Sequence, residues 1–193
     1  IFVGLPLLAM ILDAIRGPVI EVISDNKLWQ ATAYTLMIGL SAAFCSVLAG
    51  WFLLRSSSVF ANRGQINKAK WIELAGSVVY VVPPLVLGTG YFVVLAPHVD
   101  VFDWVFPIVI LINAMMGLPF VIKVLSPAMR KNQMRYQNLC CSLALQGWHK
   151  FRWIDWPLLR RPIGLAAALV SAMAMGDLGV IALFGSVDTT TLP

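Results

Sequence analysis

Charge is what this sequence has least of. Only 12% of its 193 residues are Asp, Glu, Lys or Arg, against roughly 25% in an ordinary soluble domain. With 60% hydrophobic residues, the chain lacks the polar surface that a soluble globular enzyme needs. Histidine stops at two residues and cysteine at three. Cys45 falls in an apolar run, and the adjacent Cys140 and Cys141 have no further Cys or His at tetrahedral ligand spacing, which argues against a metal site. No G-x-x-x-x-G-K-[ST], H-E-x-x-H or G-x-S-x-G pattern occurs, so there is no catalytic motif, and any ATP used is bound by another polypeptide. His98 and His149 are read as solvated loop residues.

What is present is a series of long apolar runs, at 29–54, 71–95, 104–122 and 162–184. Each is long enough for the ~30 Å hydrocarbon layer. A peptide group in lipid must find its hydrogen bond within protein, which leaves helices or closed barrels. These runs do not alternate apolar with polar residues as barrel strands do, so they are predicted to be helices. A shorter apolar run at 1–12 has no initiating Met, is too short to span and lacks the basic start of a signal peptide. The expectation is a piece of a larger membrane protein that does not transport anything alone.

The net charge of +5 would suggest a nucleic-acid partner if it were spread over a soluble surface. It is not spread. Arg55, Arg63, Lys68 and Lys70 form one group, and Lys123, Arg130, Lys131, Arg135, Lys150, Arg152, Arg160 and Arg161 form another. Cytoplasmic loops carry the Lys and Arg excess, so both groups are placed inside. The loop 97–103, with His98, Asp100 and Asp103, then lies outside, and 123–161 becomes a long cytoplasmic loop. Trp29, Trp51, Trp71 and Trp104 stand at the span borders, as in an interfacial aromatic belt.

The most informative stretch is 138–157, Asn-Leu-Cys-Cys-Ser-Leu-Ala-Leu-Gln-Gly-Trp-His-Lys-Phe-Arg-Trp-Ile-Asp-Trp-Pro. It resembles the cytoplasmic signature loop of binding-protein-dependent ABC importer permeases, written E-A-A, three residues, Gly, nine residues, I-x-L-P. Asn138, Leu139 and Cys140 stand at the E-A-A positions and Ala144 at the Gly. Ile154, Trp156 and Pro157 stand at I, L and P, and Trp148 and Phe151 match the aromatic pair between. Ala at a turn that needs positive φ carries a steric cost that Gly does not, and Gly147 is the residue able to take over the turn. Leu139, Leu143 and Leu145 have approximately helical spacing, so a short amphipathic helix can present them to a partner's groove. By spacing alone an interfacial helix on anionic lipid fits equally well, using Lys150, Arg152, Trp153 and Trp156; the resemblance favours coupling to an ATPase.

A second likeness lies in Met175-Gly-Asp-Leu-Gly-Val-Ile-Ala-Leu-Phe-Gly185, in the closing Thr191-Leu192-Pro193 and in Pro83-Pro84-Leu-Val-Leu-Gly88. These resemble the thiamine branch of the same importers. The resemblance implies an all-α polytopic bundle of the type I ABC importer permease kind, with about five spans present and the last missing, as a single permease domain over 1–193. It implies residence in a bacterial inner membrane and no cofactor on this chain, with ATP and Mg held by cytoplasmic ABC ATPase subunits. The further partners implied are a periplasmic substrate-binding protein, a second permease half and the lipid bilayer, with no nucleic acid. The solute implied is thiamine or its phosphate esters. Ferric iron or a polyamine is the alternative within the family, and an ATP-independent secondary transporter is the alternative outside it.

Asp177 is an acid well inside the run 162–184. An isolated charge at the bilayer centre costs at least ~2.5 kcal/mol, so this one should face protein or water. With Gly176 and Gly179 beside it, it is a candidate for the translocation path, where a carboxylate would offset thiamine's fixed thiazolium charge; satisfaction by a neighbouring helix is the plainer explanation. Pro83 and Pro84 remove two backbone donors in mid-span, so a kink or unwinding is predicted there. Packing is the favoured reason for it, with Gly88 and Gly90 able to admit a neighbouring helix. Glu73, near the inner border, is expected to reach water by snorkelling.

Overall fold

The computed structural model describes residues 25–95, 104–142 and 147–176, together with Gly4 and Pro97. Helix α1, Asn26–Asn62, begins where the Asp25 side chain accepts a hydrogen bond from the Lys27 amide at 3.0 Å, occupying an otherwise orphaned donor. It runs 37 residues, about 55 Å at 1.5 Å per residue, and so covers the run 29–54 with length to spare. It ends at Gly64, whose φ of +76° is left-handed. The Gln65 amide reaches back to the Phe60 carbonyl and the Gly64 amide to that of Ala61, both at 3.0 Å, the paired bonds that close a helix over a left-handed residue.

The predicted span 71–95 is two helices. Helix α2, Ile66–Val78, passes into a 3-10 turn at Val79–Val81, and α3 is Pro84–Leu95. The break falls where the prolines require it. A residue preceding proline is pushed out of the helical region, and Val82 is extended at φ −93°, ψ 123°. Pro84 then opens α3, at a position where the missing amide has no partner to lose, and the amides of Val86 and Leu87 bond to the Pro83 carbonyl.

Helix α4, Val105–Ser142, is 38 residues long and keeps Pro119 and Pro127 inside it. The run 104–122 therefore ends well before its helix does, and the first part of the predicted loop 123–161 is helical. The turn α5, Gly147–Lys150, leads through a π-helical turn at Phe151–Asp155 into α6, Trp156–Met175. Pro157 sits in the first turn of α6 and Pro162 lies inside it, so this helix starts ahead of the predicted 162. Residues 177–184 of that run lie outside the described residues.

Helices α1, α4 and α6 form the core, with Ile112, Val121, Leu125, Leu159 and Val170 fully buried. The approach is close because small residues permit it. A Cβ on Gly117 would collide with Val170 on α6 and press on Ser46 of α1, and one on Gly50 would lie 2.5 Å from Val121 Cγ1. The outward ridge of α1 is apolar instead, with Met37, Leu40, Phe44, Leu48 and Phe52 exposed. Helices 26–61, 105–136 and 151–175 are long and apolar enough to cross a membrane, and α3 is a shorter apolar helix. The protein is an all-α, multi-pass membrane bundle.

Candidate coupling segment and translocation path

The segment singled out by the sequence is built from three pieces. Asn138, Leu139 and Cys140 lie in the last turns of α4, with Leu139 exposed and Cys140 buried. These residues continue a long helix; they do not begin a separate short one. Leu143, Ala144 and Leu145 lie outside the described residues. Gly147 has φ +59°, the left-handed geometry expected of the residue that turns this segment, and Trp148 follows it in α5.

The π-turn Phe151–Asp155 comes next, closed by a hydrogen bond from the Trp156 amide to the Phe151 carbonyl. Its residues differ in exposure. Ile154 is buried, while Arg152 and Trp153 face outward, Trp153 at 70% exposure. Phe151 sets its ring edge-on to Trp51 of α1 at 5.4 Å between centroids and 75° between planes, and lies 6.1 Å from the ring of Trp156. Trp51 therefore packs against the π-turn, a contact the belt expectation did not assign to it. Four residues along α1, Arg55 approaches Asp155 at 4.0 Å. Beneath this contact is a cavity of about 120 Å³ bordered by Arg55, Asn132, Lys150, Asp155 and Leu159. The Asn132 Nδ2 is buried there without a hydrogen-bond partner among the described residues. Pro157 ends the segment by starting α6. Leu139, Trp153, Trp156 and Leu158 are exposed along it, as are His149 and Arg152.

Glu73 has protein partners that the snorkelling expectation did not include. Arg130 Nη2 donates to both of its carboxylate oxygens, at 3.0 and 2.8 Å, and the Ser57 hydroxyl lies 3.0 Å from Oε1. One acid thus ties α2 to α4 and α1, on the wall of a cavity of about 250 Å³ that Lys70 also borders. The charge pattern put Glu73 at the inner border and Arg130 in the loop on the same side, but nothing local joins residues 57 positions apart.

A third cavity, about 150 Å³, lies beside the proline break, bordered by Pro84, Asn113, Gly117, Val170, Met173 and Ala174. Asn113 is buried and donates from Nδ2 to the Val109 carbonyl at 3.1 Å. Gly176 caps α6 next to this cavity, its amide shared between the Ala172 and Met173 carbonyls. Asp177 and Gly179 lie outside the described residues. Gly88 is buried in α3, whereas Gly90 is exposed, with open space where a Cβ would stand.

No family model matches the chain. Along its whole length it is 34% identical to the thiamine transport system permease protein ThiP of Brucella abortus, of which it covers 35%. To the protein of the same name from Escherichia coli it is 36% identical over 188 residues, 97% of this chain and 35% of that protein. The sulfate transport system permease protein CysW of Escherichia coli is 23% identical over 91% of this chain and 64% of that protein. The chain spans about a third of the length of the thiamine permeases it matches. The likeness to thiamine permeases, read first from a few short stretches, extends over all 193 residues.

Proposed function

We propose, from that whole-length similarity, that this chain is the larger part of one membrane half of an ABC importer permease in a bacterial inner membrane, carrying thiamine or its phosphate esters. The 34–36% identity to thiamine permeases from end to end is the observation that carries it. The π-turn and its aromatic contacts supply a firm attachment for an ATPase subunit, and the apolar and basic outward side of 139–158 supplies the contact surface. ATP binding to paired cytoplasmic subunits draws the coupling segments together and switches the path between inward and outward access. Such a switch needs partners that bind one state more tightly than the other, and a binding protein on the far side delivers the solute.

The path itself runs between this half and a second one. Asp177, with Gly176 and Gly179, borders it and offsets the fixed positive charge of the solute. ATP and Mg belong to the partner subunits.

The test uses the full-length permease copurified with its partners and reconstituted in liposomes. The expected result is ATP-dependent thiamine uptake that sulfate, ferric iron and polyamines do not compete. Uptake of one of those solutes instead would change the substrate. Uptake driven by an ion gradient, with no ATPase copurifying, would refute the importer reading.

A further inference from the structure

The coupling segment is joined to α1 at two points whose spacing matches. Trp51 and Arg55 are one helical turn apart on α1, and their partners Phe151 and Asp155 are the first and last residues of the π-turn. π-Turns are rare and concentrate at functional sites, and this one places an aromatic ring and a carboxylate on the same side of the chain. Between them Ile154 is buried, so the turn is seated on the bundle and not merely tethered to it. The Arg55–Asp155 contact is part-exposed at 45% and 15%, and it borders the small cavity together with Lys150 and Asn132, whose Nδ2 has no hydrogen-bond partner among the described residues.

Beyond the clamp, α1 continues as an unbroken helix to Asn26. On the way it passes Ser46, which lies against Gly117 on the border of the cavity beside the proline break. It then reaches Ile38, which packs with Ile108, Val109 and Ile112 and, through them, with Leu87, Tyr91 and Leu95 of α3. From Arg55 to Ile38 is about 25 Å along a helix rising 1.5 Å per residue. A helix of that length moves as a unit between packed neighbours, which is the kind of element able to carry coupling between distant sites.

We infer that Trp51 and Arg55 are positioning residues that grip the coupling segment through Phe151 and Asp155, so that displacement of the segment enters the membrane bundle through α1. The inference rests on the importer reading above and adds to it the helix that receives the motion.

The experiment uses the complete reconstituted transporter and reads thiamine taken up per ATP hydrolysed, alongside copurification of the ATPase. Arg55→Gln and Trp51→Ala are each expected to lower that ratio by about fivefold, the lower end of ordinary coupling between sites, with the ATPase still bound. Arg55→Lys keeps the charge and should stay near the native ratio. The exchange Arg55→Asp with Asp155→Arg should recover most of what either change alone loses, which shows that the two residues act as a pair. An unchanged ratio in Arg55→Gln and Trp51→Ala, or loss in the exchanged pair equal to the sum of the single losses, overturns the inference while leaving the importer reading intact. Uptake that proceeds without any bound ATPase overturns the importer reading and this inference with it.

Discussion

Removing the Glu73 carboxylate tests how the basic end of the bundle is held together. Glu73 joins three helices, and the cost of Glu73→Ala follows from what each partner is left with. Ser57 is buried at 3% exposure, but its hydroxyl also lies 3.2 Å from the Ala69 carbonyl, so it keeps an acceptor. Arg130 is 64% exposed and regains water when its partner is lost. Neither is stranded, so the 3–5 kcal/mol cost of orphaning a buried charge does not apply. The carboxylate is only 24% exposed, however, which places its bonds above a surface pair worth 0–1 kcal/mol. An expected cost of about 1–2 kcal/mol results, with hydrogen bonds to a charged group supplying most of it. The assay is a double-mutant cycle of Glu73→Ala and Arg130→Ala in the full-length permease, read by thermal unfolding in lipid nanodiscs. A coupling of about 1 kcal/mol is expected, falling as salt rises because one partner is exposed. A coupling indistinguishable from zero, or one indifferent to salt, would refute the reasoning.

Three further outcomes follow from the same geometry. Gly117→Leu forces a side chain into Val170 and Ser46 and should lower stability by about 1–3 kcal/mol, the usual cost of overpacking, whereas Gly90→Ala, in open space, should not destabilise; equal melting points for the two would contradict the packing described. Gly147→Val places a β-branched residue at φ +59° and should cost about 1–2 kcal/mol, with faster hydrogen exchange at 147–155 and little change elsewhere. Asp177→Asn should leave assembly intact while reducing thiamine uptake, measured separately, and full uptake in that variant would remove Asp177 from the path.

Hydropathy located the helices better than it located their ends. The runs at 29–54 and 104–122 mark where the helices are continuously apolar, and a helix that continues into mixed polar sequence carries no such mark. Leu125 is fully buried in α4 beyond the predicted border, so packing against α1 and α6 sustains the helix after the continuous apolar run has stopped. Breaks dictated by backbone chemistry were legible: Pro83 and Pro84 end one helix and begin another, and Gly147 turns in the left-handed region. Contacts between distant residues were not. Trp51 reads as a border tryptophan until Phe151 is placed beside it, and Glu73 reads as solvated until Arg130 arrives from 57 residues away. In the coupling segment the pattern supplied the turn and the aromatic positions, while the π-turn that aligns Phe151 with Asp155 has no signature in residue spacing.

The two acids in these contacts sharpen the meaning of the scarce charge. Arg55, Lys70, Arg130 and Lys150 border two neighbouring cavities that share Met129 and Gln133, so the two basic groups of the sequence meet at one end of the bundle. Lys and Arg gathered on one side of a bilayer settle orientation without needing partners. Glu73 and Asp155 each engage an arginine from another helix, and so at this end charge also ties particular helices to one another. Glu73 binds α2 to α4 and α1, and Asp155 binds the π-turn to α1. A chain that carries so few acids sets two of them as inter-helix ties at its basic end, and α1 is the common member of both, through Ser57 in one and Arg55 in the other.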